Sequence, residues 1–236
     1  MSAGDRTEHH HAHRDVTGGW LRPGVFGVMD GLVSNTALLA GVAGGGAPAR
    51  TVALVGLAGL VAGAFSMATG EYVSVASQTE LARAEIEVEK AEIARVPAAE
   101  EAELAGIYRA RGVDADTARE VARQLSRDPD QVWRVHAREE LGVDPDDLPS
   151  PWTAAGSSFA ALTAGAAVPL LPYAFGGATL LVPILLALLA LFVAGALVSR
   201  WTSRGALYSG ARQLLLGGAA TAVTYVVGNA VGAGIS

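Results

Sequence analysis

The feature that most constrains the fold of this sequence is a set of apolar stretches long enough to cross a bilayer. The hydrocarbon core is about 30 Å thick and a helix rises about 1.5 Å per residue, so about 20 apolar residues are needed. Five stretches meet this length, which predicts an all-α, polytopic membrane protein with five transmembrane helices. They are 24–44, a segment that begins near Thr51, 153–173, 177–198 and about 213–235.

Charge is concentrated in one segment between the second and third stretches. Of the 23 acidic residues, 18 lie between Glu80 and Asp147, together with ten of the 17 basic residues. Apolar residues recur there at helical spacing, which indicates a folded domain rather than a linker. We therefore expect four regions: a polar His-rich tail over 1–23, two transmembrane helices over 24–79, an acidic metal-binding helical domain in the cytoplasm over 80–150, and three transmembrane helices over 151–236.

The second apolar stretch has no helix breaker at its polar end. After Tyr72 the helical pattern continues through SQTELARAEIEVEKAEIAR, with neither glycine nor proline before Pro97. This pattern predicts one helix of roughly 40 residues that leaves the membrane and projects into water. Three short helices should follow: one that starts near Pro97 and stops at Gly112, one with an aspartate N-cap, and one that ends at Gly142.

Two carboxylates fall inside the first two apolar stretches. An ionisable group in a membrane span costs several kcal/mol, so it is seldom present without facing a cavity, a partner or an ion. Asp30 is spaced to share much of one helix face with Ser34 and Asn35. Glu71 follows Met67 by four residues, so a carboxylate and a thioether share a face of the second helix. We expect these five residues to form an ion pathway.

The acidic segment also arranges its side chains on helix faces. Several carboxylates and one imidazole on facing helices are how helical bundles hold iron and manganese. The alternative is a solvated acidic surface whose charges pair with Arg83, Lys90 and Arg95. Spacing leaves both interpretations open. The spaced groups are Glu85, Glu89 and Glu92, then Glu100 and Glu103, then His136 and Glu140.

The polar tail has two interpretations. It carries His9, His10, His11 and His13, and neutral imidazoles could hold a transition metal loosely. The simpler interpretation is a solvated, disordered tail. Trp20, close behind the tail, is typical of an anchor at the membrane interface.

Basic residues near the ends of the apolar stretches indicate the orientation, because cytoplasmic loops carry an excess of arginine and lysine. They precede the first stretch, populate the acidic segment, and recur between the fourth and fifth stretches at Arg200, Arg204 and Arg212, with Arg50 as the single exception. We therefore expect the N-terminus and the acidic domain in the cytoplasm and the C-terminus outside. The abundant Ala, Gly and Arg are compatible with a GC-rich genome, and we expect a bacterial plasma membrane.

No catalytic pattern is evident. The sequence has no nucleophile elbow, phosphate loop or zinc protease motif, and it has no cysteine, which excludes a thiolate metal site. We expect a protein that is not an enzyme and has no tightly bound cofactor. Its expected partners are membrane lipid and divalent metal ions, with no role for nucleic acid.

Four motifs in a fixed order carry a resemblance to a known family. They are FGVMDGLVSN, AGLVAGAFSMATGEYVSVASQ, an acidic insert ending in REELG, and GAAVPLLPY, followed by a glycine-rich last stretch. From about Trp20 to the C-terminus the chain resembles the vacuolar iron transporter family. The resemblance implies a homodimer of five-helix subunits that moves Fe²⁺, and in some members Mn²⁺, out of the cytosol by exchange with protons.

The resemblance also implies roles for individual residues. It places Asp30 and Met67 at the translocation site, with Glu71 beside them. It marks five acids as metal-binding carboxylates of the cytoplasmic domain. One departure is His136 with Ala137, where plant relatives have a methionine pair, so an imidazole replaces a soft thioether as a possible ligand. The five acids are Glu89, Glu92, Glu100, Glu103 and Glu140.

Two functions from other classes stay open at this point. A membrane-anchored storage or sensing protein would bind metal in the acidic domain without transport, but such an anchor has little need of Asp30 and Glu71. A membrane oxidase with a di-iron centre would need paired Glu-x-x-His motifs, and none is present, since His136 precedes its neighbouring acids.

Overall fold

A computed structural model describes residues 19–176, 179–201 and 203–235. Within these ranges every regular element is a helix. Five of the helices are long and apolar enough to cross a membrane, which confirms the all-α fold class and the number of predicted spans. The four tail histidines lie outside the described residues.

The long helices carry most of the chain. α1 is Leu21–Gly44, and the short turn after it leads into α2, Ala49–Arg95. α2 has 47 residues without a break, as the missing helix breakers predicted. The later membrane helices are α6 (Pro151–Ala167), α8 (Leu181–Val198) and α9 (Ala206–Ile235).

Three short helices form the acidic domain, as predicted. They are α3 (Pro97–Ala110), α4 (Ala115–Leu125) and α5 (Pro129–Glu139). Asp114 caps α4 by accepting hydrogen bonds from the backbone of Asp116 and Thr117. Gly112 ends the α3 region with a φ of +97°, a conformation that glycine adopts without steric cost.

The boundaries of the last three spans differ from those predicted. The third span is interrupted: α6 stops at Ala167, a 3₁₀ turn covers Val168–Leu170, and α7 is the single turn Leu171–Ala174. Pro169 lies in that turn and has no N–H to continue the α-helical hydrogen bonds. The fourth helix begins at Leu181 rather than at residue 177.

The fifth helix begins earlier than hydropathy predicted, at Ala206 instead of about residue 213. The sequence LYSGAR in between is too polar for the hydrocarbon but compatible with a helix. Hydropathy therefore located the apolar part of α9, whereas the helix itself begins about two turns earlier.

α1 lies at the centre of the membrane domain and packs against α2, α6, α8 and α9. Glycines allow the closest approach. A Cβ on Gly31 would lie 2.7 Å from the backbone nitrogen of Ala166 on α6, and Gly228 of α9 packs in the same way against Gly41. The GxxxG pair of Gly27 and Gly31 is therefore used inside the subunit, against α6.

Aromatic residues mark one end of the helix bundle. Tyr72 and Trp152 stack edge to face with ring centroids 4.7 Å apart, and Trp20 and Trp201 line one groove between α1, α6 and α8. Trp and Tyr concentrate at membrane interfaces. α2 passes this belt of aromatic residues near Tyr72 and continues to Arg95, so the acidic domain lies beyond the same end of the bundle.

Candidate metal centre

Three helices of the acidic domain bring together a buried cluster of metal-binding side chains. Glu89 comes from α2, Glu100 from the first turn of α3 and His136 from α5. Each residue offers one ligand atom, and these atoms lie within 4.8 Å of one another. All three residues are buried, and His136 has no exposed surface. Below, this trio is called the capture cluster.

The chain folds back at one point to close the capture cluster. α2 ends at Arg95, and Pro97 starts α3 immediately, because proline suits the first helical turn, where its missing N–H costs nothing. The reversal sets Glu100 beside Glu89. A small apolar core under α3 and α4, formed by Leu104, Ala105 and Ala122, supports the arrangement.

The imidazole of His136 points its Nδ1 atom at carboxylates. Nδ1 lies 2.8 Å from Glu89 Oε1, 3.6 Å from Glu140 Oε2 and 4.0 Å from Glu100 Oε2. The shortest of these contacts lacks the angles of a hydrogen bond. Within the described chain, both ring nitrogens and Glu89 Oε1 are therefore buried without a hydrogen-bond partner.

The environment of the capture cluster opposes the ionisation of all its carboxyl groups at once. Burial, followed by repulsion from neighbouring carboxylates, raises the pKa of Glu89 to about 7. Burial is also the largest cause that raises the pKa of Glu100, and His136 partly opposes it. The carboxylates that act on Glu89 are, in decreasing order, Glu140, Glu100, Glu92 and Glu103.

A divalent cation fits these requirements. Buried polar groups without partners cost free energy, and clustered carboxylates repel one another in a medium of low dielectric constant. A cation placed among the carboxylate oxygens and the imidazole nitrogen would give the unpartnered atoms a partner and would also offset the repulsion between the carboxylates. Oxygen and nitrogen donors of this kind suit iron and manganese.

The structure separates the six predicted metal ligands into two groups. Glu89, Glu100 and His136 meet in the buried cluster, and Glu140 borders it with an exposed carboxylate. Glu92 and Glu103 act on Glu89 through their charge; Glu103 is exposed and Glu92 half-buried. These two acids form a negative rim rather than part of the buried trio.

The alternative of a solvated surface holds for other acids of this domain. Lys90 pairs with Glu87 at 2.8 Å, and Arg95 approaches Glu92 at 4.0 Å. Glu85 is exposed and is not among the carboxylates that act on Glu89. Glu87 and Glu85 therefore belong to a water-facing side of α2, whereas Glu89 faces the domain interior.

A network that sequence reasoning did not identify holds α5 in place. Glu139 accepts hydrogen bonds from the Tyr108 hydroxyl at 3.3 Å and from the Arg111 guanidinium, both near the end of α3. This contact fixes α5 against α3 three residues after His136. The spacing of Tyr108 and Arg111 was visible in the sequence, but their partner, 28 or more residues away, was not.

Within the membrane, the contacts between α1 and α2 set the level of the predicted pathway residues. Gly56 faces Leu39, and Gly59 faces Leu38 and Asn35. Because the two helices are antiparallel, this register puts Asp30 and Met67 within about 5 Å of one another along the helix axis. The same register puts Glu71 about 10 Å nearer the belt of aromatic residues. All three side chains are half-buried.

Ser34 and Asn35 were predicted to share a helix face, but their side chains lie in different environments. Ser34 is exposed, and its hydroxyl donates to the backbone oxygen of Asp30 at 2.5 Å. Asn35 is buried between helices and donates from Nδ2 to the backbone oxygen of Ala166 at 2.7 Å. Its Oδ1 atom is buried without a hydrogen-bond partner in the described part of the chain. Asn35 thus fastens α1 to α6 and leaves one acceptor unused.

Comparisons with known proteins give a consistent result. The model of the VIT family matches residues 21–229. A vacuolar iron transporter of Acanthamoeba castellanii is 40% identical over 227 residues, covering 90% of this chain and 78% of the relative. Vacuolar iron transporter 1 of Oryza sativa subsp. japonica is 32% identical, covering 97% and 92%. Vacuolar iron transporter 1 of Arabidopsis thaliana is 31% identical, covering 94% and 90%.

Proposed function

The chain belongs to the VIT family, and from that premise we propose that it exports Fe²⁺, and to some extent Mn²⁺, from the cytosol across its membrane. The family consists of transporters and not of enzymes, and iron is the transported ion rather than a tightly bound cofactor. The observation that carries the proposal is the buried capture cluster, with its unpartnered imidazole and carboxylate atoms.

In this proposal the acidic domain collects the ion. The rim of Glu92 and Glu103, together with the bordering Glu140, concentrates cations near the cluster, because a surface of one charge sign raises the local concentration of counter-ions. The ion then exchanges part of its hydration shell for the carboxylates of the capture cluster. A storage or sensing protein would bind the ion in the same way but would not transport it.

Transport requires a second site within the membrane. Asp30 and Met67 would accept the partly dehydrated ion between α1 and α2, with Glu71 nearer the cytoplasmic end and the hydroxyl of Ser34 beside Asp30. Asn35 Oδ1 is an additional unused acceptor deeper in the bundle. The register between the two helices supports a route, since it sets Met67 near the level of Asp30 and Glu71 about 10 Å nearer the belt of aromatic residues.

Exchange with protons has a simple physical basis. Carboxylates and imidazole bind a metal ion only when deprotonated, so loading a site releases protons and protonation releases the ion. A proton gradient across the membrane could then drive metal export.

A second copy of the chain would complete the assembly. On the stretch of α2 beyond the membrane, Leu81 and Val88 are exposed, with 53% of Val88 accessible. Exposed apolar residues on a helix surrounded by water favour burial against a partner. We propose a homodimer in which this face of α2 is covered. The glycines Gly27 and Gly31 lend no support to it, because α6 already covers them.

The proposed orientation places the N-terminus and the acidic domain in the cytoplasm and the C-terminus outside. Arg22 and Arg200 lie at the same end of the bundle as the acidic domain, which agrees with the positive-inside rule. The relatives named above are vacuolar transporters of eukaryotes, whereas the composition of this chain led us to propose a bacterial plasma membrane.

Metal uptake into sealed proteoliposomes tests the proposal. We expect Fe²⁺ uptake that increases with a pH gradient, smaller uptake of Mn²⁺, and loss of both in Asp30→Asn. Asp116→Asn is the matched control, because Asp116 is an exposed acid of α4 outside the capture cluster. Normal uptake by Asp30→Asn would refute the membrane site. Metal binding without uptake by the wild type would favour a storage or sensing protein.

A further inference from the structure

The environment of His136 indicates more than a generic cation site. Its side chain is fully buried, and both ring nitrogens lack a hydrogen-bond partner among the described residues. A buried polar group normally has such a partner, and a buried imidazole with neither nitrogen engaged calls for an explanation. The ring therefore has no stabilising hydrogen bond that would account for a histidine at this position.

Three carboxylates approach Nδ1 of His136. Glu89, Glu100 and Glu140 each place an oxygen 4.0 Å or less from Nδ1. An apolar residue would fill this position at lower cost if packing were its only role, because the adjacent Ala137 and the nearby Val132 are also buried. The imidazole is thus directed at three carboxylates whose oxygens a metal ion could share with it.

Imidazole changes which ions such a site prefers. Carboxylate, carbonyl and water ligands suit Mg²⁺, Ca²⁺ and Mn²⁺, whereas imidazole suits Fe²⁺, Ni²⁺, Cu²⁺ and Zn²⁺. The affinity of a site with nitrogen and oxygen donors also rises from Mn²⁺ through Fe²⁺ to Co²⁺. A single nitrogen donor among oxygens therefore favours Fe²⁺ over Mn²⁺ and disfavours Mg²⁺ strongly.

We propose that His136 binds the metal ion directly and sets the ion selectivity of the capture cluster, so that Fe²⁺ and Co²⁺ bind in preference to Mn²⁺ and Mg²⁺. This inference rests on the proposed function, which needs only that the cluster binds a divalent ion. It adds the ligand that discriminates among ions before they reach the membrane site.

Competition binding on the full chain tests the inference. The protein is placed in lipid nanodiscs with the Asp30→Asn change, which removes the membrane site. Mn²⁺ binding is followed by electron paramagnetic resonance, and Co²⁺, anaerobic Fe²⁺ and Mg²⁺ are added as competitors. His136→Gln is compared with Glu85→Gln, which changes an exposed acid on α2, the helix that carries Glu89, but outside the cluster.

We expect the wild-type cluster to release Mn²⁺ at low Co²⁺ or Fe²⁺ concentrations and to keep it in excess Mg²⁺. In His136→Gln, the affinity for Co²⁺ and Fe²⁺ should fall by at least about 10-fold, because loss of even an outer-shell partner of a metal ligand typically costs about 10- to 100-fold in affinity. Affinity for Mn²⁺ should change much less, so the selectivity largely disappears. Glu85→Gln should match the wild type.

A second readout requires no substitution at His136. Pulsed electron paramagnetic resonance of bound Mn²⁺ detects ¹⁴N coupling when an imidazole is coordinated. Because the described chain has no other histidine, a coupling in protein lacking the tail would come from His136. Bound Mn²⁺ without nitrogen coupling would overturn the inference.

The outcomes separate the two proposals. Absence of divalent ion binding in the wild type would refute the capture function itself. Binding that is equally selective in wild type and His136→Gln would refute only the role of His136, as would an equal loss for all ions. Circular dichroism melting shows whether the variant folds, and His136→Met offers a second substitution of similar size.

Discussion

Glu89 is the carboxylate at which burial and like charge act together. Its side chain faces the interior of the acidic domain, and its pKa is raised from about 4.5 to about 7. Below about pH 7 the folded, metal-free protein therefore favours the protonated form of this group. A carboxyl whose pKa is raised by folding contributes stability at low pH and loses that contribution as the pH rises.

The first prediction concerns the metal-free protein between pH 5 and pH 8. Its thermal midpoint in a chelating buffer should fall as the pH rises from about 5 to about 7 and then level off, because Glu89 ionises beside other carboxylates only near the upper end of that range. Glu89→Gln should melt at a higher temperature than the wild type at pH 8 and show a smaller decrease. Circular dichroism of the detergent-solubilised protein measures both.

Adding Fe²⁺ or Mn²⁺ at pH 8 should reverse the order of the thermal midpoints of the wild type and Glu89→Gln. The wild type gains stability from the bound ion at pH 8, whereas Glu89→Gln has lost a ligand and gains little. Glu85→Gln provides the control and should follow the wild type throughout. A wild type that becomes more stable with rising pH in the absence of metal would contradict the assignment of Glu89.

The contact between α1 and α6 is the closest packing in the part of the membrane domain that surrounds the proposed pathway. Gly31 lies directly against the backbone of Leu162 and Ala166, whereas Gly70 on α2 has open space around the position of a Cβ. Both glycines are in helices, so the intrinsic helical preference for alanine is the same at the two sites. The pair therefore isolates the effect of helix packing.

We predict opposite effects for the same substitution at these two positions. Gly31→Ala forces the helices apart and should destabilise the protein by about 1–3 kcal/mol, the usual cost of overpacking. Gly70→Ala should be neutral or stabilising by up to about 1 kcal/mol. Thermal unfolding followed by fluorescence-detected size exclusion gives the ranking. Equal midpoints for the two variants would mean that the α1–α6 contact is looser than described.

At this scale the sequence was most informative where one physical rule dominated. Hydropathy located all five membrane helices, and the absence of breakers before Pro97 predicted the length of α2. Hydropathy failed at helix ends, because the first turns of α9 are polar and the 3₁₀ turn at Pro169 is as apolar as the helix before it. Glycine spacing predicted close contacts but not the helix that makes them.

Side-chain contacts over long sequence distances were the least predictable. Periodicity placed Glu89, Glu100 and His136 on helix faces, but spacing within single helices cannot determine which faces meet. The buried trio became distinct from Glu92 and Glu103 only when three helices were packed together. The contacts of Glu139 with α3 had no local signal at all.

The whole molecule has a marked polarity along the membrane normal. The acidic domain, the belt of aromatic residues and most arginines lie at one end, and the α1–α2 turn lies at the other. The chain has no cysteine, so single cysteines can be introduced without background labelling. This property makes the proposed orientation directly measurable.

The prediction for orientation uses two positions at opposite ends. Ala47→Cys lies in the α1–α2 turn, and Asp130→Cys lies on the exposed surface of α5. In right-side-out bacterial vesicles, a maleimide that cannot cross membranes should label Ala47→Cys and not Asp130→Cys. Inverted vesicles should give the reverse pattern. Labelling of Asp130→Cys from outside would place the acidic domain on the external face.

The continuity of α2 has a geometric consequence. Glu71 and Glu89 are 18 positions apart on an unbroken helix, which corresponds to about five complete turns and about 27 Å. Both carboxylates therefore point in the same direction around the axis of one continuous helix. Deleting one residue between them would rotate one carboxylate by about 100° relative to the other while leaving the sequence around each one intact.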